Sequence, residues 1–378
     1  MSINVRIVAH RFLDESGKCI VIGGIETYLA RLIECLHEAG HPTHLYQISS
    51  VPFERRLNSA RIVGVASGKS NAKTTPRALV RAAAQEADLK KDLLIFATDY
   101  LIIPHRFSHS IAIQHGVAWD VPKAGRLSDL RNILSILANA TKTLVKYNRY
   151  RHCEHLVCVD HNFINWYRTQ IAQIGNRIHV IPNFSHIPPF SPKAVGEELS
   201  ILFARRFVPF RGTRLFANAV DQAMRCHANL RVTFAGEGPD EDWLRTRFEH
   251  NQAVRFICYE PADSLKIHQA HNIAVVPTLG SEGTSLSLLE AMAAGCAVIA
   301  TNVGGLTNIL LNGYNGLLIQ PEEGALTDSL KLLITDTQLR NRLAEKGYET
   351  VKVAFSLERW KTQWLELVRE IEEAGHGG

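Results

Sequence analysis

No stretch of this 378-residue chain reaches the roughly 18 uncharged apolar residues that a membrane-spanning helix needs. The start, "MSINVRIVAH", goes straight into a strand-like pattern. Neither a signal peptide nor an anchor is therefore expected, and a cytoplasmic location is. Also missing is any Cys-x-x-Cys pair: the seven cysteines are odd in number and scattered, which favours a reducing compartment and argues against structural zinc. The 17 histidines show no zinc-ligand or Ser-His-Asp spacing. The basic residues are not interleaved with stacking aromatics, so nucleic acid is a poor fit as a partner.

The composition that remains, 46% hydrophobic with 21% charged residues, is that of a compact globular protein. The length suits two domains, at roughly 100–200 residues each. Charge is divided unevenly between them. Residues 1–196 hold 24 Lys+Arg against 14 Asp+Glu, and residues 197–378 hold 18 against 23. A basic half points to something anionic, such as a membrane surface or lipid phosphate, unless both halves are simply solvated surfaces. On residues 125–152, Lys142, Lys146 and Arg149 share one helical face, which suits peripheral membrane contact or plain solvation equally.

Periodicity gives an α/β reading. "NVRIVAH" reads as a strand, Ile25, Leu29, Leu32, Ile33 and Leu36 follow at helical spacing, Gly40 ends that helix, and "THLYQIS" is the next strand. Buried strands are expected again in "DLLIFAT", "SIAIQHG", "HLVCVD" and "RIHVIPNF". The proline-rich, aperiodic stretch 187–200 reads as a linker, after which "SILFAR" restarts the pattern with helices over 213–226, 241–249 and 262–270. Two Rossmann-like domains are expected, 1–190 and 197–355, and the amphipathic tail 356–378 should pack back across the junction through Leu357, Trp360, Trp364, Leu365, Leu367 and Val368.

Chemistry concentrates in "GSEGTSLSLLEAMAAGCAVIATNVGG", residues 280–305, where Glu282 and Glu290 stand in a run otherwise free of charge. The loop "LGSEGTS" precedes a helix, so its amides offer an anion site, unless Thr284 or Ser285 is an ordinary N-cap. "ARRFVPFRG" puts Arg205, Arg206 and Arg211 after a strand, where arginines can clamp a diphosphate. Glu290, two turns on, would then suit a ribose diol. Asp240 and Asp242 form a D-x-D pair of the type that holds a divalent metal in another transferase class, but they also fit a plain helix start. Glu26 suits either a first-turn helix residue or a substrate contact.

The string from Glu282 to Gly305, preceded by "VVPT" and followed by "NGYNGLLIQP", resembles the signature of family 4 glycosyltransferases, retaining GT-B enzymes that use nucleotide-sugar donors. "GGIETYLARLIECLHEAGH", "HVIPNF", "ILFARRFVPFRG" and "FAGEGPD" extend the resemblance over most of the chain. It implies Glu282 on the donor sugar, Glu290 on the ribose, and Gly23 and Gly24 near the diphosphate. It further implies diphosphate contacts from Arg206, Arg211 and the amides of Gly283, Thr284, Ser285 and Leu286, with His115 near the transferred sugar. A metal-independent reaction with a UDP- or GDP-sugar follows from it, with a saccharide or lipid-linked acceptor in surface-polysaccharide or lipopolysaccharide synthesis. The sequence departs from the family pattern at Arg205, where glycine is usual, at Arg211 in place of lysine, at Ser285, and at Cys258 and Tyr259, where the nucleobase contact is expected. An epimerase of the same fold and a non-catalytic binding subunit remain as alternatives.

Overall fold

A computed structural model of the chain describes residues 2–14, 17–21, 23–57, 60–66, 74–116, 141, 148–170, 177–193, 198–280 and 282–376. Lys142 and Lys146, two of the three basic positions read on 125–152, lie outside these residues; the third, Arg149, donates to the Tyr100 carbonyl.

The first lobe is an eight-stranded sheet with order β3-β4-β2-β1-β5-β6-β7-β8, formed by β1 (Val5–Ala9), β2 (Thr43–Ser49), β3 (Phe53–Leu57), β4 (Ala60–Ala66), β5 (Leu93–Phe96), β6 (His109–Gln114), β7 (His155–Cys158) and β8 (Ile178–Val180). All its pairings are parallel except β3 on β4. Helix α1 (Gly24–Glu38) follows β1, α2 (Thr74–Gln85) precedes β5, and α3 (His161–Gln170) follows β7. The end of α1 shows why Gly40 is needed. The Gly40 N–H bonds the His37 carbonyl, the His41 N–H bonds that of Leu36, and Gly40 takes the left-handed φ of 85° this closure requires.

The second lobe has β9 (Leu199–Ala204), β10 (Leu230–Ala235), β11 (Val254–Ile257), β12 (Ile273–Val276), β13 (Ala297–Thr301) and β14 (Leu317–Ile319), in the order β11-β10-β9-β12-β13-β14 and all parallel. Strands β12 and β13 are buried along their whole length, as a sheet covered on both faces demands. Around them lie α4 (Thr213–Cys226), α5 (Glu241–Arg247), α6 (Ser264–Gln269), α7 (Leu286–Ala293), α8 (Glu323–Thr335) and α9 (Thr337–Ala354). The strand order reverses between β9 and β12, which opens a crevice at the carboxyl ends of those two strands.

Helix α10 (Leu357–His376) returns to the first lobe. Its Leu357, Trp360, Trp364, Leu367, Val368 and Ile371 join the core built on α1 and β1, and the Trp364 indole donates to the Tyr28 hydroxyl at 2.8 Å. Three segments differ from the sequence reading. The charged β3, "FERRL", has no apolar alternation to announce it and holds its place as an antiparallel edge through pairing with β4. The helices expected over 241–249 and 262–270 are shorter, ending at Arg247 and beginning at Ser264 after a 3-10 turn.

Candidate active site

The residues of interest gather where the two lobes meet. Gly283 lies against the first lobe so closely that a Cβ there would stand 2.8 Å from both the His115 carbonyl oxygen and Val159 Cγ2. On its other side the Gly305 amide donates to the Glu282 carbonyl at 2.9 Å, and a Cβ on Gly304 or Gly305 would strike the Glu282–Thr284 backbone. Glycines at 283, 304 and 305 thus let three chain segments pass within backbone contact. The Thr284 hydroxyl donates to the Val159 carbonyl and Asn183 donates to the Thr284 carbonyl at 2.5 Å, so Thr284 ties the lobes together. The diphosphate contact that the resemblance implies for Thr284 is that of its amide, which is distinct from this hydroxyl.

Ser285 is the N-cap residue of helix α7 and makes no side-chain cap bond, so the first-turn N–H groups have no hydroxyl of the cap as a partner and keep the positive end of the helix for another acceptor. Nearby stands the start of α1, capped by Gly23, again with no side-chain cap bond, and the Gly24 Cα is near enough to α7 that a Cβ would lie 3.7 Å from Leu286 Cδ1. The starts of the two helices are therefore close neighbours at the junction of the lobes. The Glu26 carboxylate folds back over Gly23, where a Cβ would overlap its Oε2. Burial raises the Glu26 carboxyl above its ordinary value, against the pull of Arg11 and Arg206. A carboxyl group of the chain thus covers the glycine expected to approach a diphosphate.

Glu282 is buried at the switch point. Arg205, directly after β9, bonds its Oε2 at 2.6 Å, Thr278, just past β12, donates to the same oxygen at 2.8 Å, and Arg211 forms a further ion pair with it. Burial pushes the Glu282 carboxyl up, but the two guanidiniums and these bonds outweigh it and hold the carboxyl below its usual value. Arg206, by contrast, is exposed, and Arg211 is half-buried with its guanidinium 5.1 Å from the Phe210 ring centre.

Glu290 faces the other way, toward α6, where Ser264 donates to its Oε2 at 2.7 Å. Burial pushes its carboxyl up to about 7, with Ser264 opposing. Tyr259 lies beside it, its hydroxyl raised to about 12 by burial and by Glu290. His115 directly follows β6, with Nε2 bonded to the Ala97 carbonyl at 2.9 Å and its ring edge-on to Tyr28 at 5.2 Å. An N–H must occupy Nε2 to make that bond, which leaves Nδ1 as the acceptor of a neutral ring. Burial pushes its pKa down to about 4.

The structure thus assembles Glu282, Arg211 and the start of α7 on one wall, with His115, Gly23 and Gly24 on the other. The sequence sets Arg205 among the arginines that can clamp a diphosphate and as a departure from the family pattern, not on Glu282, and it does not mark Thr278 or Ser264. Thr278 ends the quoted "VVPT", and its place after a buried strand at the switch point was the available signal. Asp240, the first acid of the D-x-D pair, is buried at the start of α5 and bonded by Arg214 at 2.9 Å. Among the described residues no group of three or more His, Cys, Asp or Glu is arranged to hold a metal ion.

Residues 188–350 match the family described as "Glycosyl transferases group 1". Among relatives, the chain is 28% identical over 197 residues to a phosphatidyl-myo-inositol mannosyltransferase of Mycobacterium leprae, covering 49% of this chain and 52% of that protein. The chain thus spans about half the length of that relative. Its fold matches that of a sucrose-phosphate synthase from Thermosynechococcus elongatus with a TM-score of 0.77 at 19% identity, covering 98% of this chain and 100% of that one. It also matches WaaG, a glycosyltransferase involved in lipopolysaccharide biosynthesis, with a TM-score of 0.68 at 15% identity, covering 99% and 100%.

Proposed function

We propose that this GT-B chain, whose residues 188–350 carry the pattern of the glycosyl transferases group 1 family, moves a sugar from a nucleoside diphosphate sugar to a saccharide or lipid-linked acceptor with retention at the anomeric carbon. One observation carries the reading: Glu282 and Glu290 flank the uncapped start of α7, with Arg206 and Arg211 at the same sheet edge. That spacing suits a donor laid along the crevice, with sugar at Glu282, diphosphate at the helix start, and ribose at Glu290.

In this reaction an acceptor hydroxyl oxygen forms a bond to the anomeric carbon on the face from which the diphosphate leaves. The bond from that carbon to the phosphate oxygen breaks with its electron pair remaining on phosphate, and the hydroxyl proton passes to that oxygen. Arg206, Arg211 and the free amides of the first turn of α7 stabilise the charge that grows there, an effect typically worth several kcal/mol. His115, neutral at physiological pH, cannot serve as a cation but can accept a sugar hydroxyl at Nδ1. The lipopolysaccharide role of WaaG and the basic first lobe support an anionic or lipid-linked acceptor at a membrane surface.

The test pairs binding with turnover. A thermal-shift panel of UDP- and GDP-sugars identifies the donor, because a bound ligand raises stability with the logarithm of its saturation. With that donor, Glu282→Gln is expected to lower kcat about a hundredfold while nucleotide affinity stays within about threefold. Equal loss of both would remove Glu282 from the sugar site. Turnover of donor alone to an epimer, with no acceptor dependence, would replace transfer by epimerisation.

A further inference from the structure

Three donors reach Glu282, and all three reach the same oxygen, Oε2. They are not equivalent. The Arg205 and Glu282 side chains are 6% and 8% exposed, and Arg205 spans Glu282 and Thr278 with its two terminal nitrogens, Nη2 on the carboxylate and Nη1 on the Thr278 hydroxyl. Arg205 and Thr278 follow β9 and β12, the two strands on either side of the switch point, so this fork is fixed by the sheet itself. Arg211 sits on a 3-10 turn (Pro209–Arg211) with its side chain 27% exposed and holds the same oxygen from the cleft side.

A buried carboxylate that loses its only cation is strongly disfavoured. If Arg211 were the sole partner of Glu282, its turning to a diphosphate would strand that charge, and nucleotide binding would work against the ion pair. With Arg205 and Thr278 in place, Oε2 keeps a cation and a hydroxyl donor after Arg211 leaves.

We propose that Arg205 is the positioning residue that keeps Glu282 charge-paired and aimed at the sugar while Arg211 transfers from Glu282 to the donor diphosphate. The inference rests on the proposed donor site and adds to it a division of labour: one fixed arginine for the glutamate, one exchangeable arginine for phosphate. Within the described structure the charged groups acting on Glu282 are Arg205 and Arg211.

The full chain is examined as wild type, Arg205→Met and the double variant Arg205→Met with Glu282→Gln. Calorimetry measures UDP and GDP affinity, and carbon-13 detection of the Glu282 side-chain carboxyl, assigned through Glu282→Gln, follows its titration without nucleotide. Arg205→Met is expected to weaken the bound nucleotide about tenfold, because Glu282 then retains Arg211, and the neutral glutamine of the double variant is expected to restore most of that loss. The Glu282 carboxyl should titrate at higher pH in Arg205→Met. Where that variant fails to fold, Arg205→Lys keeps the charge without the fork and is expected to lose part of the affinity. Unchanged affinity in Arg205→Met, loss without rescue, or an unmoved Glu282 titration overturns the inference while leaving the donor site standing. A wild type that binds neither UDP nor GDP overturns the donor site and the transfer of Arg211 together.

Discussion

Glu290 shows what one half-buried carboxyl can report. Its carboxyl is pushed up to about 7 by burial, so near neutral pH it exists in both forms. A ribose diol donates hydrogen bonds and therefore binds the ionised form better, which lowers the carboxyl's pKa in the complex. Between the two values binding releases a proton, so nucleotide affinity should rise with pH up to about 7 and level off above it. Calorimetry at pH 6, 7 and 8 in buffers of different ionisation enthalpy checks this, and Glu290→Gln should abolish the dependence. The same group also acts on folding. A carboxyl raised in the folded state stabilises below its unfolded value of 4.5, and that contribution is lost as pH rises through about 7. Glu290→Gln should therefore stabilise the ligand-free chain at pH 8 by about 2 kcal/mol relative to its effect at pH 5, as read by denaturant titration.

At the scale of elements, the loop 282–285 does two jobs with one backbone: it leads into the start of α7 and docks the second lobe on the first. The docking explains why glycines recur at 283, 304 and 305. Gly283→Ala would put a methyl 2.8 Å from a backbone carbonyl oxygen and from Val159, neither of which is a flexible side-chain end. The loop must then shift, and a displacement of about 1 Å at a reacting centre can cost a hundredfold in rate. We expect kcat to fall by about that factor with unfolding free energy changed by about 1 kcal/mol or less, since the α7 core at Leu288, Leu289 and Met292 is untouched. Wild-type turnover in Gly283→Ala would mean the lobe contact is incidental.

The same loop marks where sequence reading reached and where it stopped. Composition and period-2 or period-3.6 patterns made the parallel strands legible, because a strand covered on both faces must be apolar throughout, as "IAVV" and "AVIAT" are. Edge strand β3 carries three charges in five residues and gains its place from pairing, which no local pattern encodes. Helices α8 and α9 have polar faces and follow the last buried strand, so no strand pattern beyond them marks their place. At the site, the glutamates were legible as charges in an apolar run. Their partners were not: Arg205 and Thr278 are 73 residues apart and meet only because β9 and β12 are neighbours. Thr284 was legible as a hydroxyl near a helix start, yet its bond goes to Val159 in the other lobe.

For the molecule as a whole, the decisive contact is the return of α10 to the first lobe. The chain crosses back at Phe355–Leu357, where the Ser185 N–H bonds the Phe355 carbonyl at 2.9 Å and the Leu357 N–H bonds the Ser185 carbonyl at 3.0 Å. From there Trp360 and Trp364 enter the core built on β1 and α1, and Tyr28 packs edge-on to both indoles as well as to His115. A helix whose sequence follows the second lobe thus completes the core behind a first-lobe site residue. Trp364→Ala should destabilise the chain by about 3–5 kcal/mol, the usual cost of removing a buried indole. Because the lost support lies behind Tyr28, the same variant should lower kcat in the fraction that stays folded, whereas Trp364→Phe, which keeps most of the ring volume and gives up only the N–H to Tyr28, should cost about 1–2 kcal/mol and leave kcat near wild type. Denaturant unfolding followed by tryptophan fluorescence, with turnover measured on each variant below its transition, separates the two. If Trp364→Ala unfolds the first lobe in a separate, earlier transition, α10 is a clasp on that lobe alone. A single shifted transition would make it a strut whose loss both lobes feel.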